Sequence, residues 1–85
     1  MTIEYLPKAQ KQLSKLDKTI QKHIKKYMDE VSTLSDVRSR GKGLTSTLSG
    51  LWRYRVLDYR VLCKICDEKV VILVVEIGHR KEIYD

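Results

Sequence analysis

The sequence predicts an α+β domain: a single antiparallel β-sheet of about four strands with an N-terminal helix hairpin packed on one face. Three patterns carry this expectation. Apolar residues recur at helical spacing from Leu6 to Val31, aromatic and apolar residues alternate with arginines from Trp52 to Val56, and a nearly unbroken apolar stretch fills Val70 to Ile77. With 85 residues and 10.0 kDa there is room for one such domain, residues 1–85, and no second.

Thr2 to Leu6 is short and rich enough in strand formers to be the first strand, and Pro7 then falls in the first turn of a helix, where proline is best tolerated. Leu6, Ala9, Leu13 and Leu16 step by three and four residues, and Ile20, Ile24, Met28 and Val31 continue the stripe. Asp17 is placed to cap a second helix, so the stripe divides into helices over 8–16 and 18–32. Residues 33–50 lose periodicity and gather Ser, Thr and Gly, which predicts a long loop of the kind that is often functional. A strand then leads to a tight turn at Leu57-Asp58, Tyr59 to Cys66 returns, Asp67-Glu68 turns again, and Val70 to Ile77 is apolar enough for the sheet's centre.

Composition narrows the function. The longest apolar run is far short of a membrane span, and the polar opening Met1-Thr2-Ile3-Glu4 is no signal peptide, so a soluble cytoplasmic protein is expected, with no membrane partner. A net charge of +6 points to a polyanionic partner. Lysines at 8, 11, 15, 18, 22 and 25 follow the helical stripe, either as a solvated face or as loose electrostatic docking on RNA phosphates. Cys63 and Cys66 form an isolated C-x-x-C. Strand positions three apart face opposite sides, and no second ligand pair exists, so these read as two small strand residues and not as a redox pair or zinc site.

The arginines carry the sharpest signal. If Leu57 and Asp58 are the two turn residues, Val56 pairs with Tyr59 and Arg55 lies opposite Arg60 on one face, with Arg53 two positions along. Like charges so placed repel, and stability alone gives no reason to build the arrangement. Either the side chains splay into solvent and contact phosphates, or they hold one anion between them and favour the extra charge of a phosphoryl transition state. Trp52, Tyr54 and Tyr59 share the opposite face and read as core. Asp58 and Glu82 read as ion-pair partners of the arginines, since no clustered carboxylates suggest a metal; neither metal nor other cofactor is expected.

The run LSGLWRYRVLDYRV, followed by a short hairpin, VVILVVEIGHR and a tyrosine near the C-terminus, resembles the RelE branch of the RelE/ParE toxins of bacterial toxin–antitoxin pairs, over nearly the whole chain. The resemblance implies a toxin that enters the ribosomal A site and cuts messenger RNA, the substrate's own 2′-hydroxyl attacking the adjacent phosphate without a metal. Its partners would be the ribosome, messenger RNA and an acidic, RelB-like antitoxin. By position, the family's functional residues fall on Arg53 and Arg55 before the hairpin, Arg60 on the returning strand, Arg80 after the last strand, and Tyr84. The same four arginines with Lys81 would bind RNA.

RelE has lysines where this chain has Arg53 and Arg55. Arginine is effectively never deprotonated, so it stabilises charge but makes a poor general base. Tyr84, which could orient the 2′-hydroxyl or stack on a base, and His79, in a GHR run, are the remaining candidates for acid–base work. Relatives commonly have glycine where this chain has Leu57, which could shift the turn by one residue and re-aim Arg55 and Arg60. The alternative reading is a ParE-like protein that binds and poisons DNA gyrase without cutting nucleic acid.

Overall fold

A computed structural model of the chain describes residues 1–45 and 50–81. In chain order the elements are β1 (Thr2–Tyr5), α1 (Pro7–Ser14), α2 (Lys18–Ser32), a 3-10 turn (Val37–Ser39), β2 (Lys42–Gly43), β3 (Trp52–Val56), β4 (Tyr59–Cys66) and β5 (Val71–His79). The helix hairpin divides where the capping residue indicated. Pro7 opens α1, and the Asp17 carboxylate accepts the Thr19 N–H at 2.8 Å to open α2. The first helix stops at Ser14, two residues earlier than expected, and the side chain of Gln21 donates to the Leu16 carbonyl at 2.8 Å to close the connection.

The strands form one open sheet in the order β1-β5-β4-β3-β2. Three of its four pairings are antiparallel, as expected; β1 instead lies at the edge and runs parallel to β5, from Thr2 opposite Val71 to Tyr5 opposite Val74. Parallel neighbours need a long crossover, and here the crossover is most of the chain. A fifth strand, two residues long, appears within the expected 33–50 loop. Both helices pack on one face. Ala9 and Leu13 of α1 and Ile24, Met28 and Val31 of α2 close over Tyr54, Val56, Val61, Cys63, Ile72, Val74 and Ile77 of the sheet. Trp52 and Tyr59 pack against the same core, so all three aromatics of the hairpin serve it.

The loop after α2 is strapped down before it reaches β2. Tyr54 donates its hydroxyl to the Val37 carbonyl at 2.7 Å, and Trp52 donates Nε1 to the Arg40 carbonyl at 2.8 Å. Arg38 makes a two-pronged contact to Asp67 at 3.0 and 2.9 Å, tying the 3-10 turn to the turn between β4 and β5. At the other edge β1 ends before β5 does, and α1 takes over the exposed main chain. The side chain of Gln12 accepts the Ile77 N–H at 2.8 Å, and Lys8 grips Glu76 at 2.6 Å. Lys8 therefore serves the fold as well as the row of helix lysines, all six of which are exposed.

Candidate active site

The site follows from the register of one hairpin. Leu57 and Asp58 form its turn, Val56 pairs with Tyr59 and Arg55 with Arg60, so the arginines stand opposite one another as the two-residue turn predicts. The turn has not shifted to avoid Leu57. Leu57 takes the positive φ of 56° that glycine would supply, so the side chain and not the register absorbs the departure from the family pattern. Arg53 lies two residues along β3 on the same face, opposite Leu62. Burial lowers the Arg53 guanidinium from its usual range, and the neighbouring charges of Arg60 and Arg55 lower it further. The Arg53 guanidinium thus lies within the field of the other two, an arrangement of like charge that an anion could bridge.

The third strand extends the row. Gly78 of β5 stands opposite Arg60 and contributes no side chain. Past the end of β5 the Arg80 N–H donates to the Asp58 carbonyl at 2.8 Å, prolonging the ladder by one rung and bringing Arg80 to the hairpin's turn. The Arg80 side chain approaches the Asp58 carboxylate at 4.0 Å. The structure therefore brings together Arg53 and Arg55 of β3, Arg60 of β4 and Arg80 just past β5, at one end of the sheet. Lys81 follows directly and is exposed.

His79 does not join them. It pairs with Tyr59, whose side chain packs against the core on the helix side, and the two rings meet edge to face with centroids 5.5 Å apart. Strand alternation puts Gly78 and Arg80 toward the arginines and His79 away from them. Its Nδ1 accepts the Lys81 N–H at 3.2 Å, a turn-closing contact. His79 thus stands on the face opposite the arginines, apart from the row that its expected acid–base role would serve. Tyr84 and Glu82 lie outside the described residues.

Sequence reasoning missed the floor of this face. Leu62 and Leu44 are buried there, with Leu51 packed against them, beside Arg53. The signal was available: Val61-Leu62-Cys63 is a run of three apolar residues, which requires burial on both faces of β4. A register irregularity between Leu62 and Cys63 bends the strand at this point. Cys63 is buried in the main core, where desolvation pushes its thiol far up, while Cys66 is half-buried, and both are free thiols. Among the described residues no three His, Cys, Asp or Glu side chains converge into a metal-binding group. Nor is any described helix long and apolar enough to cross a membrane.

The molecule is thus an open mixed sheet with a helix hairpin on one face and guanidiniums on the other. Residues 3–84 match the family model described as the ParE toxin of type II toxin-antitoxin system, parDE, and the chain belongs to that family of the RelE/ParE superfamily. No curated protein sequence matches the chain closely enough to count as a relative. Among solved structures it is similar to the toxin–antitoxin complex RelBE2 from Mycobacterium tuberculosis, with a TM-score of 0.83 and 26% identity over 93% of this chain and 90% of that one. The isolated E. coli RelE toxin shares the fold with a TM-score of 0.74 at 24% identity, over 92% of this chain and 82% of that one. The archaeal RelE-RelB complex from Pyrococcus horikoshii OT3 does so with 0.75 at 22% identity, over 96% and 97%. Within the superfamily the chain stands on the RelE-like branch, as a toxin of a type II toxin–antitoxin system.

Proposed function

We propose that this chain is a ribosome-dependent endoribonuclease that cuts messenger RNA in the A site without a metal, held in check by a RelB-like antitoxin in the cytoplasm. One observation carries the reading: Arg55 and Arg60 are direct cross-strand partners, with Arg53 on the same face and Arg80 at the adjoining turn. In the reaction the 2′-oxygen of the substrate attacks the neighbouring phosphorus, its proton passes to a base, and the bond to the 5′-oxygen breaks as that oxygen gains a proton. Charge on the phosphoryl oxygens is greatest midway, and guanidiniums already fixed around them favour that state over the ground state. The arginines cannot take the proton, and Tyr84 is the candidate to orient or accept it. Lys81 and the exposed helix lysines would add sequence-independent attraction to RNA.

The match to a ParE family model supports a second reading, a gyrase poison that leaves RNA intact. Mapping messenger RNA ends on programmed ribosomes with and without the protein separates the two. New ends in the A-site codon, with a 2′,3′-cyclic phosphate and a 5′-hydroxyl, are expected. Intact message together with inhibited DNA supercoiling would replace the first reading by the second.

A further inference from the structure

On the arginine face of the sheet, Arg55 of β3 and Gly78 of β5 flank Arg60 on one rung, and Arg53 and Glu76 flank Leu62 on the next. Glu76 therefore stands diagonal to Arg60 on the same face, within reach of a shared ligand. It reaches that face because β5 breaks its alternation. Ile72 and Val74 are buried under the helices, and strict alternation from them would send Glu76 into the same core. Leu62 pairs with Glu76 but Cys63 pairs with Val74, so Val75 is an extra residue. Ile77 then enters the core and Glu76 turns outward, toward the arginines. The burial of Ile77 accounts for the bulge, but it does not account for a carboxylate at the position that the bulge turns outward.

The surroundings of Glu76 suit proton transfer. Lys8 Nζ donates to Glu76 Oε1 at 2.6 Å, and among the described residues Oε2 accepts no hydrogen bond. At 30% exposure the side chain is sheltered yet open to a ligand. Asp58, Asp67 and Glu4 are placed differently: Asp58 sits in the hairpin's turn beside Arg80, Asp67 is held by Arg38, and Glu4 lies on β1 level with Leu73, on a rung without an arginine. We infer that Glu76 is the general base of the cleavage proposed above, an inference that rests on the nuclease reading. Glu76 Oε2 takes the proton of the 2′-hydroxyl as the 2′-oxygen bonds to phosphorus. The bond from phosphorus to the 5′-oxygen breaks, that oxygen takes a proton from water, and the hydroxide so formed reclaims the proton from Glu76. Lys8 fixes the carboxylate through Oε1, while Arg55 and Arg60 hold the phosphate on the adjoining rung. The arginines, which cannot accept a proton, then need only stabilise charge, and Tyr84 is left the part of orienting the 2′-hydroxyl.

The test is single-turnover cleavage on programmed ribosomes by the full chain, followed from about pH 6.5 to 8.5, with thermal unfolding of each variant alongside. Carboxylates are ionised throughout this range, so the wild-type rate should stay level. Glu76→Gln, of the same size, should cut roughly a hundredfold more slowly at neutral pH, and its rate should climb about tenfold per pH unit as hydroxide replaces the lost base. Glu76→Asp keeps a carboxylate at shorter reach; it should be slowed with a level profile, and it serves as the second variant if glutamine disturbs the fold. A Glu76→Gln chain that cuts at the wild-type rate, or slowly with a level profile, would overturn the inference. So would a Lys8→Met chain that acquires the steep profile, since the effect would then belong to the ion pair. Wild-type cleavage is read first. A wild type that cuts nothing would sink the nuclease reading and the base with it, whereas a wild type that cuts with no dependence on Glu76 would sink the base alone.

Discussion

Replacing Arg55 or Arg80 by alanine tests the phosphate site where the fold has least at stake. Both residues are exposed, whereas Arg53 and Arg60 are half-buried and have further contacts, so truncating those would mix catalysis with packing. Removing Arg55 relieves a directly opposed like charge, worth about 0.2 to 1 kcal/mol, and gives up a similar amount of strand preference. Arg80 meets Asp58 only at 4.0 Å with both side chains more than half exposed, a pair worth about 0 to 1 kcal/mol at most, and its main-chain bond to Asp58 survives the substitution. Each variant should therefore melt close to the wild type. Cleavage should suffer far more, because one fixed donor to a developing oxyanion contributes about 3 to 4 kcal/mol, or roughly a hundred- to a thousandfold in rate. If both side chains hold the same phosphate, the double variant should lose less than the product of the two single losses. Single-turnover cleavage on programmed ribosomes, paired with thermal unfolding, measures all of this. Wild-type rates from both folded single variants would refute the site.

Leu57→Gly should stabilise the hairpin by about 0.5 to 1 kcal/mol, the relief of left-handed strain less the added freedom of the unfolded chain, and raise the melting temperature by a few degrees; a lower melting point would show that Leu57 is not strained. Gly41→Ala should cost about 2 to 4 kcal/mol, because Gly41 has a φ of +83° and a β-carbon would collide with the Arg53 carbonyl and lie 2.6 Å from Trp52 Nε1; denaturant unfolding measures it, and a neutral change would mean the strap can move aside. The hydrogen bonds from Arg38 hold the Asp67 carboxyl below its usual range. That stabilisation is present above the unfolded carboxyl pKa of about 4 and is lost as pH falls through the lower folded value. Melting curves of wild type and Arg38→Ala should thus differ at neutral pH and converge in acid; a gap that persists in strong acid would assign the contact to packing instead.

Local pattern made the helix hairpin and the arginine row legible, because each depends on residues a few positions apart. Asp17 capping α2 and Arg55 facing Arg60 are decisions taken within one turn of helix or one two-residue loop. What escaped the sequence is what joins distant segments. Nothing in Thr2 to Tyr5 states that its neighbour is β5, seventy residues on, or that the pairing is parallel. The same is true of Gln12, whose side chain completes the Ile77 main chain where β1 runs out. His79 shows the same limit at short range: it adjoins Arg80 in sequence, yet adjacent residues at the end of a strand point to opposite faces.

The same alternation explains how the protein keeps three mutually repelling cations in place. Tyr54, between Arg53 and Arg55, and Val56, directly after Arg55, are buried, Val61 is buried next to Arg60, and the Tyr54 hydroxyl is held by the Val37 carbonyl. Burying each of those side chains is worth about 1.5 to 3 kcal/mol, against about 0.2 to 1 kcal/mol for an opposed like charge. The strands cannot separate to relax the guanidiniums without lifting their neighbours out of the core, so the repulsion is retained. A bound phosphate would turn that retained repulsion into attraction at no cost in rearrangement. Substitutions on the helix side of β3 and β4 should therefore reach the arginines: Val61→Ala, which loosens the packing beneath Arg60, should lower both stability and phosphate affinity, although the residue cannot touch the substrate.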